Sequence, residues 1–346
     1  MHFAPGAKAH ALLGKRLSQG DYRALMGMRD MGQFVDYLRS HTAYRTVLGS
    51  SERIVHRNQV ELRMRKTLYE HYEKFFHYYR DAYRDFFKIL FMRYQVENIK
   101  LFVRGILRGE TFNAGEDHLI RSKVYLAMDY DLMARAGTLQ ELVKALEGTP
   151  YHDLIQIYLS QETKEQLFFI EMSLDGFYFK SLGRAIQGLG RTDAALMGEL
   201  LGRNVDLMNL QWIYRAKKYY GLSPEVILNY TLRQGRRFKY KELKTLSYLS
   251  SPAEVGEAMA VSDYRSLLSG GELYLQRNLQ RYIYRLMEEL LRRGRGTLMV
   301  PVAYLHFLEY EIQDLNSIME SIKYGVGEPG VYLIREFEER GWGFGH

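Results

Sequence analysis

Long stretches of this chain have the hydrophobic spacing of amphipathic helices. Positions 51–104 contain neither Gly nor Pro, and the same holds for positions 151–175, 272–293 and 302–324. Such breaker-free stretches, rich in Leu, Arg, Glu, Lys and Met, favour helix. In the first stretch large apolar residues recur every three or four positions, as on one helix face: Leu68, Tyr72, Phe75, Tyr79, Tyr83, Phe86 and Leu90. Alternating strand patterns are scarce, so the sequence predicts an all-α fold.

A helix-capping pattern recurs three times along the chain. In a capping box the first side chain caps the helix start and the side chain three positions later reaches back. The three matches begin 108 and 113 residues apart, which indicates an internal repeat. They are Asp30 with Gln33, Thr138 with Glu141, and Ser251 with Glu254.

A tyrosine with a hydroxyl residue two positions before it recurs about 13 residues after the start of each capping box. The matches are Thr42 to Tyr44, Thr149 to Tyr151, and Ser262 to Tyr264. We expect the hydroxyl residue to begin the next turn or helix. The aromatic ring of Tyr44, Tyr151 and Tyr264 should be buried, with its hydroxyl on a backbone partner.

An asparagine recurs in the following helical region at Asn98, Asn209 and Asn316. Asparagine is unfavourable inside a helix. Its recurrence at the same position of each repeat therefore predicts a side-chain hydrogen bond to nearby backbone. The three signatures in fixed order predict a threefold repeat of helical domains. We place the units at residues 1–110, 111–221 and 222–346, the last with a Gly-rich C-terminal tail.

The composition removes several classes of protein. Cysteine is absent, which excludes disulfide scaffolds, thiol nucleophiles and Cys-containing metal sites, and makes a cytoplasmic location the natural expectation. No signal peptide is evident, and no run of 18 apolar residues occurs that would span a bilayer. The net charge of +7 is a mild excess for 346 residues, compatible with an anionic neighbour.

The search for reactive chemistry finds little. There is no phosphate-binding loop of the GxxxxGK[S/T] type, no GxGxxG after a strand and no HExxH. We therefore predict no catalytic residue, no cofactor, no metal, no nucleic-acid partner and no small-molecule substrate. The recurring pairs Asp206 with Asn209 and Asp314 with Asn316 allow a carboxylate site, but their repetition favours a structural role.

One segment is densely basic, at the junction of the second and third units. Its cations are opposed in sequence only by Glu242, and they are Arg233, Arg236, Arg237, Lys239, Lys241 and Lys244. A solvated loop face and a contact with lipid head groups or an acidic partner are equally compatible with it. The interleaved Phe238 and Tyr240 also permit RNA stacking, although no RNA-binding motif accompanies them.

Several motifs together resemble the C subunit of the archaeal and bacterial V/A-type ATPases, which is similar to the d subunit of eukaryotic V-ATPases (the AC39-like family). The resemblance runs from about Ala9 to Gly325. It departs from the family in the shortened Asp-to-Asn spacing of the third unit and in the tail beyond Gly325. The motifs that carry it are Leu25-Met26-Gly27, Phe34 to Leu38, Thr42-Ala43-Tyr44, Glu97 to Lys100, Ile106 to Arg108, Glu171 to Asp175 with Tyr178, Asp206 to Leu210, and Ile213 to Arg215.

The resemblance implies a funnel of three similar helical domains around a pseudo-threefold axis. It implies a non-catalytic connector that joins the central shaft to the membrane proteolipid ring and transmits torque. ATP hydrolysis or synthesis would thereby be coupled to proton or sodium transport. The connector would lie peripherally on the cytoplasmic face of the membrane, with anionic lipid head groups as a further contact.

Two other functions stay open from the residues alone. A free α-helical scaffold or nucleic-acid-binding protein would use the basic segment 233–244, and its affinity for nucleic acid would fall steeply with salt. A hydrolase would need a concave pocket with converging titratable groups, which the sequence does not reveal.

Overall fold

The protein is described from a computed structural model that covers residues 3–49, 57–110, 119, 124–160, 165–260, 262–325 and 329–337. Every regular element in these ranges is helical, which confirms the all-α fold class. The Gly-rich stretch 341–346 lies outside the described residues.

The helices are, in chain order, α1 (Phe3–Leu13), α2 (Gln19–Met26), α3 (Met31–His41), α4 (Arg45–Leu48), α5 (Arg57–Tyr78), α6 (Asp81–Arg108), α7 (Tyr130–Ala134) and α8 (Leu139–Ala145). They continue with α9 (Tyr151–Gln156), α10 (Gln166–Gln187), α11 (Arg191–Arg215), α12 (Pro224–Tyr230), α13 (Tyr240–Tyr248), α14 (Pro252–Ala260), α15 (Leu275–Arg293) and α16 (Met299–Tyr324). The predicted stretches 272–293 and 302–324 correspond to α15 and α16.

The described residues fall into two compact units. The first is drawn from Met1–His71 and Leu267–His346, and the second from Tyr72–Ser266. Packing therefore groups the two ends of the chain, whereas the repeat boundaries after residues 110 and 221 follow the sequence signatures and stay a prediction. In the first unit α1, α3 and α15 pack on α16, and in the second unit α10 packs on both α6 and α11.

The long helical stretch 51–104 is interrupted where the sequence gives no warning. Helix α5 ends at Tyr78, Arg80 is extended (φ −132°), and Asp81 at the start of α6 has φ 49°. The expectation of one helix face running from Leu68 to Leu90 is therefore wrong at this point. Aspartate tolerates the left-handed region better than most residues, so the break needs neither Gly nor Pro.

The three predicted helix starts are confirmed. Asp30, Thr138 and Ser251 each accept a hydrogen bond from the backbone N–H three positions later, at 2.9, 3.2 and 3.2 Å. In the second and third cases the glutamate of the box reaches back one residue beyond the cap. Glu141 accepts from the backbone of Gly137, and Glu254 accepts from that of Ser250.

Candidate functional site

The recurring hydroxyl residues fold the chain into one local turn, used three times. Each hydroxyl donates to a carbonyl at the end of the preceding helix, three or four residues back, at 2.6–2.7 Å. Each also accepts from the backbone N–H of the tyrosine two positions later, at 3.1–3.3 Å. The residues are Thr42, Thr149 and Ser262. The turn satisfies backbone groups at the helix end and fixes the direction of the tyrosine that follows.

The rings of Tyr44, Tyr151 and Tyr264 are buried, and each hydroxyl donates to a side chain of a long helix. The acceptors are Glu311 on α16 at 2.9 Å, Gln95 on α6 at 3.3 Å, and Asp206 on α11 at 2.7 Å, respectively. This differs from the expected backbone partner. A carboxylate forms a stronger hydrogen bond with a phenol than a neutral carbonyl does, so two of the three anchors are charge-assisted.

Each tyrosine binds an acceptor in a predicted unit other than its own. The tyrosine of the second predicted unit binds the helix of the first, and that of the third unit binds the helix of the second. Tyr44 of the first predicted unit binds α16 of the third, 267 residues further along the chain. Each predicted unit is thus tied by its tyrosine to a helix of another.

On α11, Asp206 and Asn209 hold the segment that follows α12. The Asn209 side chain donates to the carbonyl of Leu232 at 2.9 Å and accepts from its N–H at 2.8 Å. Asp206 accepts from the backbone N–H groups of Arg237 and Phe238 at 2.6 and 3.1 Å. A side chain on Gly235 would approach the Asp206 carboxylate to 2.3 Å, so the segment fits against α11 only with glycine there.

On α16 the corresponding pair is Glu311 and Asp314. Glu311 accepts from Tyr44 and from the backbone of Leu17 at 3.0 Å. Asp314 accepts from the backbone N–H groups of Ile334 and Arg335 at 2.5 and 3.2 Å. The two residues are three positions apart, as are Asp206 and Asn209, so both pairs lie on one helix face.

In the third unit the structure therefore matches different residues with those of the other two units than the sequence alignment did. Asn98 and Asn209 are both buried, whereas the buried Oδ1 of Asn316 has no hydrogen-bond partner among the described residues. Asp314 occupies the position that corresponds to Asn209. The tyrosine acceptors Gln95, Asp206 and Glu311 mark corresponding positions of the three predicted units. An alignment on the asparagines misses this correspondence in the third unit.

Burial raises the pKa of all three of these carboxylates. It raises the pKa of Asp206 despite the hydrogen bonds from Arg237, Tyr264 and Phe238. It raises the pKa of Glu311 despite the nearby Arg16 guanidinium, and that of Asp314 to about 7. Holding a carboxylate in the core costs free energy, and the backbone donors offset part of that cost.

A second polar contact, which the sequence reasoning missed, joins α6 to α10. Lys100 forms an ion pair with Asp175, and Arg104 forms one with Glu171 at 2.5 Å. The partners are four residues apart on each helix, so two pairs lie one turn apart. Burial lowers the pKa of Lys100, but Asp175 and Glu97 more than offset this and the pKa is raised. All of these residues except Arg104 belong to quoted stretches of the resemblance.

The basic segment crosses a loop and enters α13. All six predicted cations are exposed, while Gly235, Phe238 and Leu243 between them are buried, as is Leu232 just before them. Arg233 stacks over the exposed ring of Tyr240 at 4.3 Å, and Lys244 lies 5.7 Å from the ring of Tyr248. Lys239 donates to the carbonyl of Gly235 at 2.5 Å. Among the described residues no carboxylate side chain forms an ion pair with any of the six.

Within the described ranges, no three His, Asp or Glu side chains converge as metal ligands would. In the same part of the chain no helix has the length and apolar character needed to cross a bilayer. The arrangement thus defines a class of protein: an all-helical body fixed by buried tyrosine and carboxylate anchors, with a basic outer segment.

Comparison with known proteins identifies the family. Residues 5–328 match the ATP synthase (C/AC39) subunit family, and the chain belongs to that family. It is similar to the C subunit of the A-type ATP synthase of Methanothermobacter thermautotrophicus, with 25% identity over 94% of this chain and 84% of the relative. The same subunit of Thermococcus kodakarensis is 26% identical over 96% of this chain and 89% of the relative. That of Desulfurococcus sp. is 27% identical over 93% and 87%.

Membership of this family supports a role as an ATP synthase subunit that partners other subunits of the complex. The family is an accessory one rather than a catalytic one, in accord with the expectation of a non-enzyme.

Proposed function

We propose that this chain is the central-stalk connector of a V/A-type ion-translocating rotary ATPase. It joins the central shaft to the proteolipid ring of the membrane sector and transmits torque between them, without a catalytic centre of its own. Proton or sodium transport is thereby coupled to ATP hydrolysis or synthesis.

The observation that carries this proposal is the threefold use of one anchored turn. A torque-transmitting part must resist shear between its helices. A tyrosine fixed at its backbone by the hydroxyl turn and at its ring hydroxyl by a buried acceptor resists such displacement from both ends. Buried polar groups of this kind have a cost when they are separated, because each partner is left unsatisfied.

The same contacts support three helical units arranged as a funnel around a pseudo-threefold axis. The tyrosine of each predicted unit binds a helix of another, and the order closes on itself through Tyr44 and Glu311. A linear array of repeats would leave the first tyrosine without a preceding helix. The proposed boundaries are residues 1–110, 111–221 and 222–346.

For the basic segment we propose contact with an anionic surface, such as lipid head groups at the cytoplasmic face of the membrane. Six exposed cations favour it, since none of them pairs with a carboxylate in the part of the chain that the structure describes, and so do the exposed rings of Tyr240 and Tyr248 beside them. Each Lys or Arg close to an anionic membrane contributes about 1 kcal/mol, and tyrosine rings suit the head-group level.

Co-purification tests the connector role. A tagged chain is recovered from gently solubilised membranes of the source, and its partners are identified by mass spectrometry. The proposal expects the proteolipid, the shaft subunits and the nucleotide-binding subunits together. Recovery of the chain alone, or with nucleic acid, would favour the free scaffold or nucleic-acid-binding alternative.

A further inference from the structure

Each of the three tyrosine acceptors also binds the backbone of a residue that lies 12 or 13 positions before a capping residue. The three pairs are Gln95 with the carbonyl of Leu126, Asp206 with the N–H of Phe238, and Glu311 with the N–H of Leu17. The capping residues that follow are Thr138, Ser251 and Asp30, respectively. A junction of the same kind is therefore formed three times along the chain.

Two of these junctions are held together by the chain itself. Leu126 follows Gln95 by 31 residues and Phe238 follows Asp206 by 32, so a continuous stretch of chain keeps each pair close together. Such a short tether raises the effective concentration of the two partners. Leu17 and Glu311 are instead 294 residues apart, near opposite ends of the chain. This third junction therefore has no comparable covalent connection and depends on non-covalent contacts.

The segment Pro329–Phe337, which begins directly after the last residue that matches the family, lies at this third junction. Its middle is buried, since Leu333 is 2% and Ile334 4% exposed. On one side, Arg281 of α15 donates to the Leu333 carbonyl at 2.6 and 2.9 Å. On the other side, the Asp314 carboxylate of α16 accepts from the N–H groups of Ile334 and of the residue after it. The segment is thus bound to both α15 and α16.

The same segment also holds the start of the chain. The Arg335 guanidinium donates to the Leu17 carbonyl at 2.5 Å, while the N–H of Leu17 donates to Glu311 on α16. Both main-chain groups of Leu17 are therefore bound, one by the segment and one by the helix. The Arg335 guanidinium lies 5.6 Å from the ring centre of Tyr22 on α2, and the ring of Phe337 lies 4.9 Å from it.

Helix α2 meets both the segment and α16 at Tyr22. The Tyr22 side chain is fully buried, and its hydroxyl donates at 3.1 Å to Asp314, the same carboxylate that binds the segment. Helix α1 is held by direct packing on α16. Loss of the segment would therefore uncover Tyr22 and free α2 while leaving α1 in place.

We infer that residues 329–337 are a strap, which fixes Leu17 and α2 on α16 in place of the covalent connection that the other two junctions have. When the strap detaches, α2 is released while the rest of the first compact unit stays folded. The inference does not depend on the connector role, because every contact of the strap lies within that compact unit.

Hydrogen exchange of the full chain, read by mass spectrometry of its peptides, tests the strap. The double variant Leu333→Asp with Ile334→Asp replaces the buried residues of the strap. Amides of residues 17–26 should then exchange at least about tenfold faster than in the wild-type chain, because α2 opens locally. Residues 3–13 of α1 should exchange as before, and so should residues 240–248 of α13. Unchanged exchange over residues 17–26 would overturn the inference, and so would equal acceleration over α1.

A milder pair of variants separates the strap from general destabilisation. Arg335→Gln removes the hydrogen bond to Leu17 but keeps the buried apolar residues of the strap. Residues 17–26 should exchange about tenfold faster in it, the usual effect of losing one hydrogen bond to a charged group. Arg285→Gln is the matched control, because it removes only the exposed pair with Glu336 at 2.7 Å and should leave residues 17–26 unchanged. Equal exchange over residues 17–26 in the two variants would contradict the proposal.

The wild-type chain gives a reading that does not depend on the folding of any variant. The amides of Ile334 and Arg335 should be protected from exchange, since both donate to Asp314. Rapid exchange of both amides in the wild-type chain would show that the strap is not docked and would overturn the inference.

Discussion

The Tyr264 hydroxyl lies 2.7 Å from a carboxylate oxygen of Asp206, which stands 58 residues earlier in the chain. The same carboxylate accepts the backbone N–H groups of Arg237 and Phe238. One buried group therefore joins α11, the basic segment and the turn after α14. The basic segment owes its fixed position to this junction.

Removing the Tyr264 hydroxyl should destabilise the fold. We expect Tyr264→Phe to lower the free energy of unfolding by about 1–3 kcal/mol, because Asp206 loses a donor in a buried site. Urea denaturation measures the change. Tyr248→Phe is the matched control, since its hydroxyl bonds to Glu225 at the surface and its loss should leave the midpoint unchanged. Equal denaturation midpoints for wild type and Tyr264→Phe would show that the hydrogen bond from Tyr264 to Asp206 does not stabilise the fold.

The asparagines of the second and third units should behave differently. Asn209→Ala removes two hydrogen bonds to Leu232 in a fully buried site, and we expect a loss of about 1–3 kcal/mol. Asn316→Ala removes a side chain whose Oδ1 has no hydrogen-bond partner among the described residues, so its effect on urea unfolding should be clearly smaller. An equal loss of stability in both variants would indicate that Asn316, and not Asp314, corresponds to Asn209, as the sequence predicts.

Replacing only one partner of the Lys100–Asp175 ion pair should strongly lower the free energy of unfolding. Lys100→Met leaves the Asp175 carboxylate buried beside Glu97 and Glu171, and we expect a loss of about 3–5 kcal/mol. Replacing both partners, with Lys100→Met and Asp175→Leu, should recover much of that loss. If the double variant unfolds as early as the single one, the destabilisation comes from packing and not from the unpaired charge.

Asp314 should make stability depend on pH. Its pKa is about 7 in the folded chain and 3.8 in the unfolded reference, so between these values the folded state holds the extra proton. The free energy of unfolding should therefore fall as pH rises from about 4 to about 7, by a few kcal/mol at most, and be level above that. Glu311, Tyr22, Arg281 and Arg335 face the same site.

Asp314→Asn has no proton to exchange and should flatten this slope. The measurement is urea unfolding of both chains at pH 5 and pH 8. The readout is the difference between the two pH values and not the absolute stability, which the substitution alters through the hydrogen bonds to Ile334 and Arg335. A slope as steep in Asp314→Asn as in wild type would assign the dependence to another buried carboxylate with a raised pKa, such as Asp175, whose pKa burial raises to about 6.

The basic segment should bind anionic membranes through its charge. Replacing Arg236, Arg237 and Lys239 by glutamine should weaken co-sedimentation with vesicles containing phosphatidylglycerol. Stability should change little, because all three residues are exposed and the only contact at stake among them is the hydrogen bond from Lys239 to the Gly235 carbonyl in the described part of the chain. Glutamine at Arg292, Arg295 and Lys323, which are also exposed, gives the same charge change elsewhere. Equal binding by both triple variants would show that the segment is only a solvated face.

The sequence was sufficient for the parts of the fold that depend on local chemistry. Helix periodicity and the capping residues Asp30, Thr138 and Ser251 act within one turn, so their positions can be predicted without knowing the tertiary structure. The break at Arg80 and Asp81 could not, because neither residue is a strong helix breaker. The ring of Tyr79 stacks on Tyr83 and Phe87 across the break, and these contacts are seen only in the folded chain.

The anchors could be predicted only in part. Tyr44, Tyr151 and Tyr264 were identified by their recurrence, but Glu311 was not identified as an acceptor because it lies far away in sequence. The docked segment 329–337 gives no sequence signal at all. Its position depends on backbone groups that bind Arg277, Arg281 and Asp314, which come together only in the folded chain.

The most direct test of the central claim is the ratio of ion transport to ATP hydrolysis in membranes that lack this chain, compared with membranes to which it has been restored. A connector between shaft and ring predicts that hydrolysis persists without the chain while ATP-driven ion transport is lost, and that restoring the chain recovers transport. Ion transport at the full rate in its absence would contradict the account.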